Sequence, residues 1–260
     1  MTLRRLSALL LLSACALPAY ADAWREGLYA QQYALYRLAG TFYMSTHEDA
    51  QSGLLDSLPA RTDAYRKALD TCDDNVNGNR ERSQQIQAIR EAWAPVESLV
   101  TRDIQKIIGT EQKKYINNGA FNAFQRATDV HNLMPALETA LGKAVTAAGG
   151  RDQRQVAMLR SAVAVEALAA QYARMATGFF EDKAGATLAT ATRDFETAMA
   201  EARQKIDDND PIQRVTINRI EARWKFVQPV LAKPADNRPR IVYRYLGEIG
   251  DDFMKLAKAP

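Results

Sequence analysis

The chain has 260 residues, in which 34 Lys and Arg side chains nearly balance 31 Asp and Glu side chains. This length suffices for one large domain or two smaller ones. A near-neutral chain without a basic block has no electrostatic footprint for nucleic acid, so we expect no nucleic-acid partner. No metal-ligand spacing surrounds either histidine, and no catalytic or dinucleotide-binding motif occurs. We therefore expect no enzyme activity, no cofactor and no bound metal.

Residues 1–21 have the pattern of an export signal. Arg4 and Arg5 precede an apolar segment, and Ala19-Tyr20-Ala21 forms a small-residue cleavage site. A second interpretation stays open, because Leu12-Ser13-Ala14-Cys15 is similar to a lipobox in which Cys15 carries a lipid. We expect a periplasmic protein secreted after cleavage at Ala21, or a lipoprotein that reaches a membrane only through Cys15. Cleavage at Ala21 leaves a single cysteine, which excludes an internal disulfide.

Apolar residues recur every three or four positions along the mature chain, which predicts helices and no strands. Ser52-Gly53, Asn77-Gly78-Asn79 and Asn117-Asn118-Gly119 are predicted breaks between helices, and Gly149-Gly150 marks the middle of the chain. The eight predicted helices span 23–48, 53–74, 80–109, 118–147, 152–182, 185–207, 211–233 and 238–257.

Several patterns of the first half recur in the second half. Residues 36–43 and 173–180 each contain an Arg, a large aliphatic residue, an Ala, a Gly/Thr pair and two aromatic residues, at an offset of 137. Residues 86–96 recur at 217–227, at an offset of 131, and this places Trp93 and Trp224 at equivalent core positions. The residues between these segments match at an offset of 130. The repeats predict an all-α fold, a tandem duplication of a four-helix up-down bundle module with copies in 22–148 and 151–260. We expect the copies to pack antiparallel or to form one elongated bundle.

Two arginines in the repeated motif are the candidate ligand-binding residues. A guanidinium keeps its charge at physiological pH and offers a planar fork of donors suited to oxyanions and carboxylates. Thr41 follows Arg37 by one helical turn, and Thr177 follows Arg174 closely, so their hydroxyls can add hydrogen bonds to a bound anion. In the alternative interpretation each arginine pairs with an acidic side chain or caps a carbonyl. The sequence leaves open whether the two arginines converge on one anion.

The turn at 73–79 has a partial calcium-site pattern. Asp73, Asn75 and Asn77 match the first ligand positions of an EF-hand loop, but Gln84 stands where the bidentate Glu belongs. We therefore predict a solvated turn between two helices.

The Arg174-Met175-Ala176 segment before two aromatic residues, followed by helices with Phe195 and Trp224, resembles a known family. It is similar to the periplasmic sensor domain shared by type IV pilus methyl-accepting chemotaxis transducers (PilJ-type) and nitrate/nitrite sensor kinases (NarX-type). The resemblance implies an anion-binding role for Arg174-Met175 and, in the first copy, for Arg37-Leu38. It also implies a membrane sensor or a pilus-associated protein as the partner.

Together these features predict a soluble periplasmic helical-bundle protein with a binding or sensor-like role. It would capture a small anion, similar to nitrate or nitrite, or feed a chemosensory or type IV pilus-related system. The alternative is a structural or interaction scaffold of the cell envelope without a small-molecule ligand.

Overall fold

The computed structural model describes residues 3–45, 54–109, 112–149, 153–176, 181–231 and 239–259. Every regular element within these residues is an α-helix, which confirms the predicted all-α class. The helices are α1 (Leu3–Ser45), α2 (Leu54–Asp74), α3 (Arg80–Gly109), α4 (Gln112–Ala148), α5 (Arg154–Ala176), α6 (Glu181–Arg203), α7 (Pro211–Leu231) and α8 (Pro239–Lys258).

Most predicted helix ends lie within a few residues of the observed ends, but one predicted break is wrong. α4 begins at Gln112 and continues through Asn117-Asn118-Gly119. A glycine inside a helix costs only about 1 kcal/mol relative to alanine, and tertiary packing routinely outweighs such a propensity. α1 also begins earlier than predicted, at Leu3, and continues past the predicted cleavage site. No helix in the described part of the chain carries a stretch long and apolar enough to span a membrane.

The turn between α2 and α3 is built by local hydrogen bonds. Asn77 and Gly78 adopt positive φ angles of 50° and 68°, and the Asn79 side chain accepts the Arg82 backbone N–H at 3.1 Å as the N-cap of α3. Asp73, the first residue of the partial calcium pattern, is bound by Arg90 Nη2 at 2.6 Å. The Asp73 carboxylate thus has a cationic side chain as its partner.

The helices pack as two groups of four, each around its own hydrophobic core. α1 to α4 enclose one core and α5 to α8 enclose the other. The first core holds Trp93 stacked on Tyr65, with ring centroids 4.0 Å apart, and the second holds Trp224 edge-on to Phe195 at 4.8 Å. Both tryptophans are buried, as the repeats predict. Equivalent ring pairs are what a tandem duplication requires, and the duplication itself stays a prediction.

The two groups of helices meet along α1 and α5, which lie side by side and run in the same direction. Gln155 of α5 donates a hydrogen bond to Glu26 of α1, and further along both helices Arg37 of α1 lies against Glu166 of α5. Both contacts join residues at an offset of 129. α8 packs against α5 and also touches α1. Side chains of α1, α5 and α8 therefore meet at the junction of the two groups.

Candidate functional site

Arg37 lies at the centre of a charged cluster at this junction. Its guanidinium donates to both carboxylate oxygens of Asp251 on α8, with Nη2 and Oδ2 2.9 Å apart. Nη1 is also 3.6 Å from Glu166 Oε1 on α5. Tyr33, one turn earlier on α1, accepts a hydrogen bond from Arg37 and donates one to Asp251 at 2.8 Å. The structure thus gives Arg37 the acidic partners of the alternative interpretation, and its predicted role as an anion ligand stays a prediction.

The two carboxylates beside Arg37 titrate differently. Burial raises the pKa of Glu166 to about 7, and the positive charge of Arg37 only partly opposes this effect. Burial also acts to raise the pKa of Asp251, but the hydrogen bond and charge of Arg37 outweigh it and hold that pKa below the usual range. At neutral pH Asp251 is therefore the ionised partner of Arg37, and Glu166 is near its midpoint of titration.

Thr41 is buried beside Arg37 and makes two contacts within the protein. Its hydroxyl donates to the Arg37 carbonyl at 2.8 Å and lies 3.1 Å from the Tyr243 hydroxyl of α8. Gly40 makes room for this tyrosine, because a Cβ at that position would lie 2.9 Å from Tyr243 Cε2. The Thr41 hydroxyl thus contacts the backbone and Tyr243, and its predicted contact with an anion stays a prediction.

Two glycines of α8 allow this helix to lie directly against the charged cluster. A Cβ on Gly250 would lie 2.8 Å from Glu166 Oε1, and a Cβ on Gly247 would lie 3.3 Å from Arg37 Nη2. The glycines are three residues apart and so share one side of the helix. Larger residues here would force α8 away from the buried charges.

A cleft of about 510 Å³ opens beside the cluster, between α1, α2, α5 and α8. Arginines outnumber glutamates among its lining side chains, so the cleft has an excess of positive charge. Its charged lining residues are Arg37, Arg61, Arg240, Arg244, Glu166 and Glu248.

Some of these charges already have partners within the protein. Glu248 lies 2.9 Å from Arg223 and 3.7 Å from Arg244. Two buried polar atoms of the lining residues, in contrast, make no hydrogen bond to any residue that the structure describes. They are Nε of Arg61 and Oε1 of Glu166. A donor and an acceptor without hydrogen-bond partners therefore line the same cleft.

Arg174 lies in a different environment, beside the first group of helices. Burial raises the pKa of Glu138 on α4, and a hydrogen bond from Tyr36 and the charge of Arg174 oppose this effect. Burial lowers the pKa of His131, and the charge of Arg174 lowers it further. Arg174 thus acts electrostatically on α4, whereas Arg37 contacts α5 and α8. Thr177 lies outside the described residues.

The packing register keeps the two arginines apart along the helix axes. Arg37 is level with Glu166, and Arg174 is eight residues further along α5, which corresponds to about 12 Å. The buried positions Leu35 and Leu38 of α1 match Val165 and Leu168 of α5 at an offset of 130, as in the segments that follow. The repeated arginine motif has an offset of 137, so it is shifted by seven residues, or one heptad, relative to these buried positions.

No sequence motif marks Glu166, Asp251 or Arg61 as a site residue. One signal for Glu166 was present, because it is a lone charge within the apolar run 161–170. Asp251 follows Gly247 and Gly250, whose spacing is typical of a helix that approaches a neighbour closely. Arg61 carries no local signal, because its importance comes only from the helices that surround it.

No protein-family model, curated protein or solved structure matches this chain. The functional assignment therefore rests on the geometry and chemistry of the cleft.

Proposed function

We propose that the protein binds a small anionic ligand in the cleft between α1, α2, α5 and α8. The observation that carries this proposal is the arginine-rich lining, in which the buried Nε of Arg61 has no hydrogen-bond partner among the described residues. Guanidinium groups pair with carboxylates and oxyanions through short, charge-assisted hydrogen bonds. An anion at this place would compensate the charge of Arg61 and offset the positive excess of the lining.

The size and position of the cleft agree with such a role. Ligand pockets have volumes of roughly 300–1,000 Å³ and occur preferentially at interfaces between domains and between the helices of bundles. This cleft has about 510 Å³ and lies where the two groups of helices meet. A ligand that contacts α2 and α8 together would bridge both groups. Its binding would then favour one arrangement of the two groups, which is the property that a sensor-like protein needs.

The proposed site differs in composition from the predicted one. It centres on Arg61, with Arg240 and Arg244, and uses Arg37 as part of the wall. The proposal keeps the periplasmic location and the link to a membrane sensor or pilus-associated protein, both of which the leader pattern and the family resemblance suggest. Transfer of the signal to such a partner is part of the proposal.

A thermal-shift and calorimetry screen with nitrate, sulfate, phosphate, acetate and succinate tests the proposal. A ligand that binds only the folded state stabilises it by about 2.7 kcal/mol at a hundredfold excess over Kd. Arg61→Gln should weaken binding by about 10- to 100-fold, since a hydrogen bond to a charged group contributes roughly 1.5–3 kcal/mol. Arg193→Gln is the matched control, because Arg193 is exposed on α6 and lies outside the cleft lining. Absence of any stabilising anion, or unchanged binding by Arg61→Gln, would contradict the proposal.

One observation favours the scaffold alternative as a second candidate. Ile212, Val215 and Phe226 on α7 are exposed to 71%, 59% and 54%. Contiguous exposed apolar side chains mark protein-binding surfaces, and Ile212 and Val215 are neighbours on α7, whereas Phe226 lies about 16 Å further along the same helix. If the protein is a scaffold, Phe226→Asp should abolish capture of its envelope partner. Anion binding should be unaffected, because Phe226 does not line the cleft.

A further inference from the structure

We propose that the ligand of the cleft is an amino-carboxylate, a small molecule whose carboxylate contacts Arg61 and whose ammonium group contacts Glu166 Oε1. This inference rests on the proposed anion-binding function and names the chemical class of the ligand. It makes Glu166 the residue that selects amino-carboxylates over simple carboxylates.

Glu166 Oε1 is a buried acceptor without a hydrogen-bond donor in the described part of the chain. Glu166 is 1% exposed, and no described residue makes a hydrogen bond to Oε1. The nearby Tyr33 hydroxyl lowers the pKa of Glu166, but its single proton is donated to Asp251 at 2.8 Å. Its nearest charged neighbour, Arg37 Nη1, is 3.6 Å away and already donates to Tyr33 and Asp251. A buried acceptor without a donor is unfavourable, so this oxygen requires a donor from outside the protein.

The donor that complements Glu166 Oε1 carries a positive charge. An anion placed beside an ionised Glu166 would be repelled by it and would leave Oε1 without a donor. An ammonium group supplies three donors and a compensating positive charge. A ligand with groups of both signs therefore complements the cleft better than a simple anion does.

Arg61 and Glu166 line the same cleft. Arg61 is close enough to lower the pKa of Glu166 and that of Asp251, although Arg37 has the larger effect on both. Gly247 of α8 also lines the cleft, and a Cβ at this position would lie 3.9 Å from Glu166 Oε1. Oε1 itself is closed to solvent, so its contact with an ammonium group requires a small shift of the Glu166 side chain or of α8.

The titration of Glu166 provides a test that needs no mutation. Titratable and charged groups surround it on each neighbouring helix: Tyr33 and Arg37 of α1, Arg61 of α2, and Tyr243 and Asp251 of α8. Glu166 must be ionised to hold an ammonium group, so affinity for an amino-carboxylate should increase from pH 6 to pH 8. Affinity for a simple carboxylate should decrease over the same range, because ionised Glu166 repels it.

Isothermal titration calorimetry of the full chain with matched pairs tests the inference. The pairs are L-alanine with propionate and L-glutamate with glutarate, each at pH 6 and pH 8. We expect the amine-bearing member of at least one pair to bind ten times more tightly at pH 8. Glu166→Gln should remove this preference while retaining the affinity for the deaminated member.

Two results would overturn the inference, and they separate it from the proposed function. Equal binding of both members of every pair, with affinity that falls as pH rises, would leave anion binding intact and exclude an ammonium contact at Glu166. Absence of binding by any member at either pH would overturn the inference, whereas the proposed function is contradicted only if the anions of the thermal-shift screen also fail to bind. The pH comparison on the unmodified protein gives a result even if Glu166→Gln does not fold.

Discussion

Arg37 on the first helix and Asp251 on the last form a forked ion pair, with Arg37 Nη2 and Asp251 Oδ2 2.9 Å apart. The pair joins the two groups of helices across their junction, beside the cleft. Its formation requires both groups to be folded and packed together. The wall of the cleft therefore depends on a contact between residues that are more than two hundred positions apart in the chain.

Asp251→Asn should destabilise the protein by about 1–3 kcal/mol. Breaking a buried ion pair costs roughly 3–5 kcal/mol, but the Asp251 side chain is 47% exposed, so solvent compensates for part of the loss. Urea unfolding at pH 7 measures the change. Glu201→Gln is the control, because its ion pair with Arg160 is at the surface and should contribute less than about 1 kcal/mol. Equal losses for the two variants would contradict a special role of the Arg37–Asp251 pair.

Gly250→Ala should destabilise the protein by about 1–3 kcal/mol through overpacking. The new Cβ would lie 2.8 Å from Glu166 Oε1 and 3.3 Å from Val165 Cγ1, so the Glu166 side chain or α8 would have to shift. Gly142→Ala is a matched control on α4, where a Cβ would meet no atom within 4 Å. This control should stabilise the protein by about 0.5–1 kcal/mol, because alanine is the better helix former. Thermal unfolding of both variants gives the comparison, and a stabilising Gly250→Ala would contradict the observed close packing.

Stability should decrease as pH rises from about 4.5 to about 7, and Glu166 should cause this decrease. Burial raises the folded-state pKa of Glu166 to about 7, so in this range the folded protein holds a proton that the unfolded chain has released. The unfolded state then binds fewer protons, and the free energy of unfolding falls with pH, by up to roughly 3 kcal/mol. Glu166→Gln should flatten this part of the profile. A Glu166→Gln profile parallel to that of the unmodified protein would show that another group is responsible.

Asp252 should be a major stabilising residue of the second group of helices. It is 3% exposed, receives two hydrogen bonds of 2.7 Å from Arg219, and also contacts Arg223 and Lys255. Asp252→Asn should destabilise the protein by about 3–5 kcal/mol at pH 7, because three cations lose their shared carboxylate.

The effect of Asp252→Asn should diminish at low pH. Burial acts to raise the pKa of Asp252, but the hydrogen bonds from Arg219 and Lys255 outweigh it and hold that pKa below its usual value. The stabilisation is therefore fully present above the ordinary Asp pKa and is lost as pH falls through the lower folded value. Denaturant unfolding at pH 7 and pH 3 measures how much of this stabilisation is lost at the lower pH. The ion cluster would be contradicted if the difference in free energy of unfolding between Asp252→Asn and the unmodified protein stayed constant from pH 7 to pH 3.

Arg174→Ala should lower stability without changing ligand affinity at the cleft. Arg174 acts on Glu138 and His131 at the α4 side, and it is not among the described residues that line the cleft. Calorimetry with the best ligand should therefore give a Kd within about twofold of that of the unmodified protein. Loss of binding would instead support the hypothesis that Arg37 and Arg174 share one anion.

The amino-acid sequence by itself determined the helical class, most of the helix ends and the two core tryptophans. These features follow from local rules, because apolar spacing and turn residues act over a few positions. The predicted break at Asn117-Asn118-Gly119 was wrong because tertiary packing outweighs the weak helix propensity of a few residues.

Only the tertiary structure decided the register between α1 and α5 and, with it, the partners of the charged residues. A seam of apolar residues with a heptad period looks the same after a shift of seven positions, so the sequence alone could not decide which residue of α5 lies level with Arg37. The close approach of Arg37, Glu166 and Asp251 likewise depends on how three helices distant in sequence pack together. Local patterns predict which residues a helix buries, but electrostatic partners are determined by distances in space, which arise only when the helices pack.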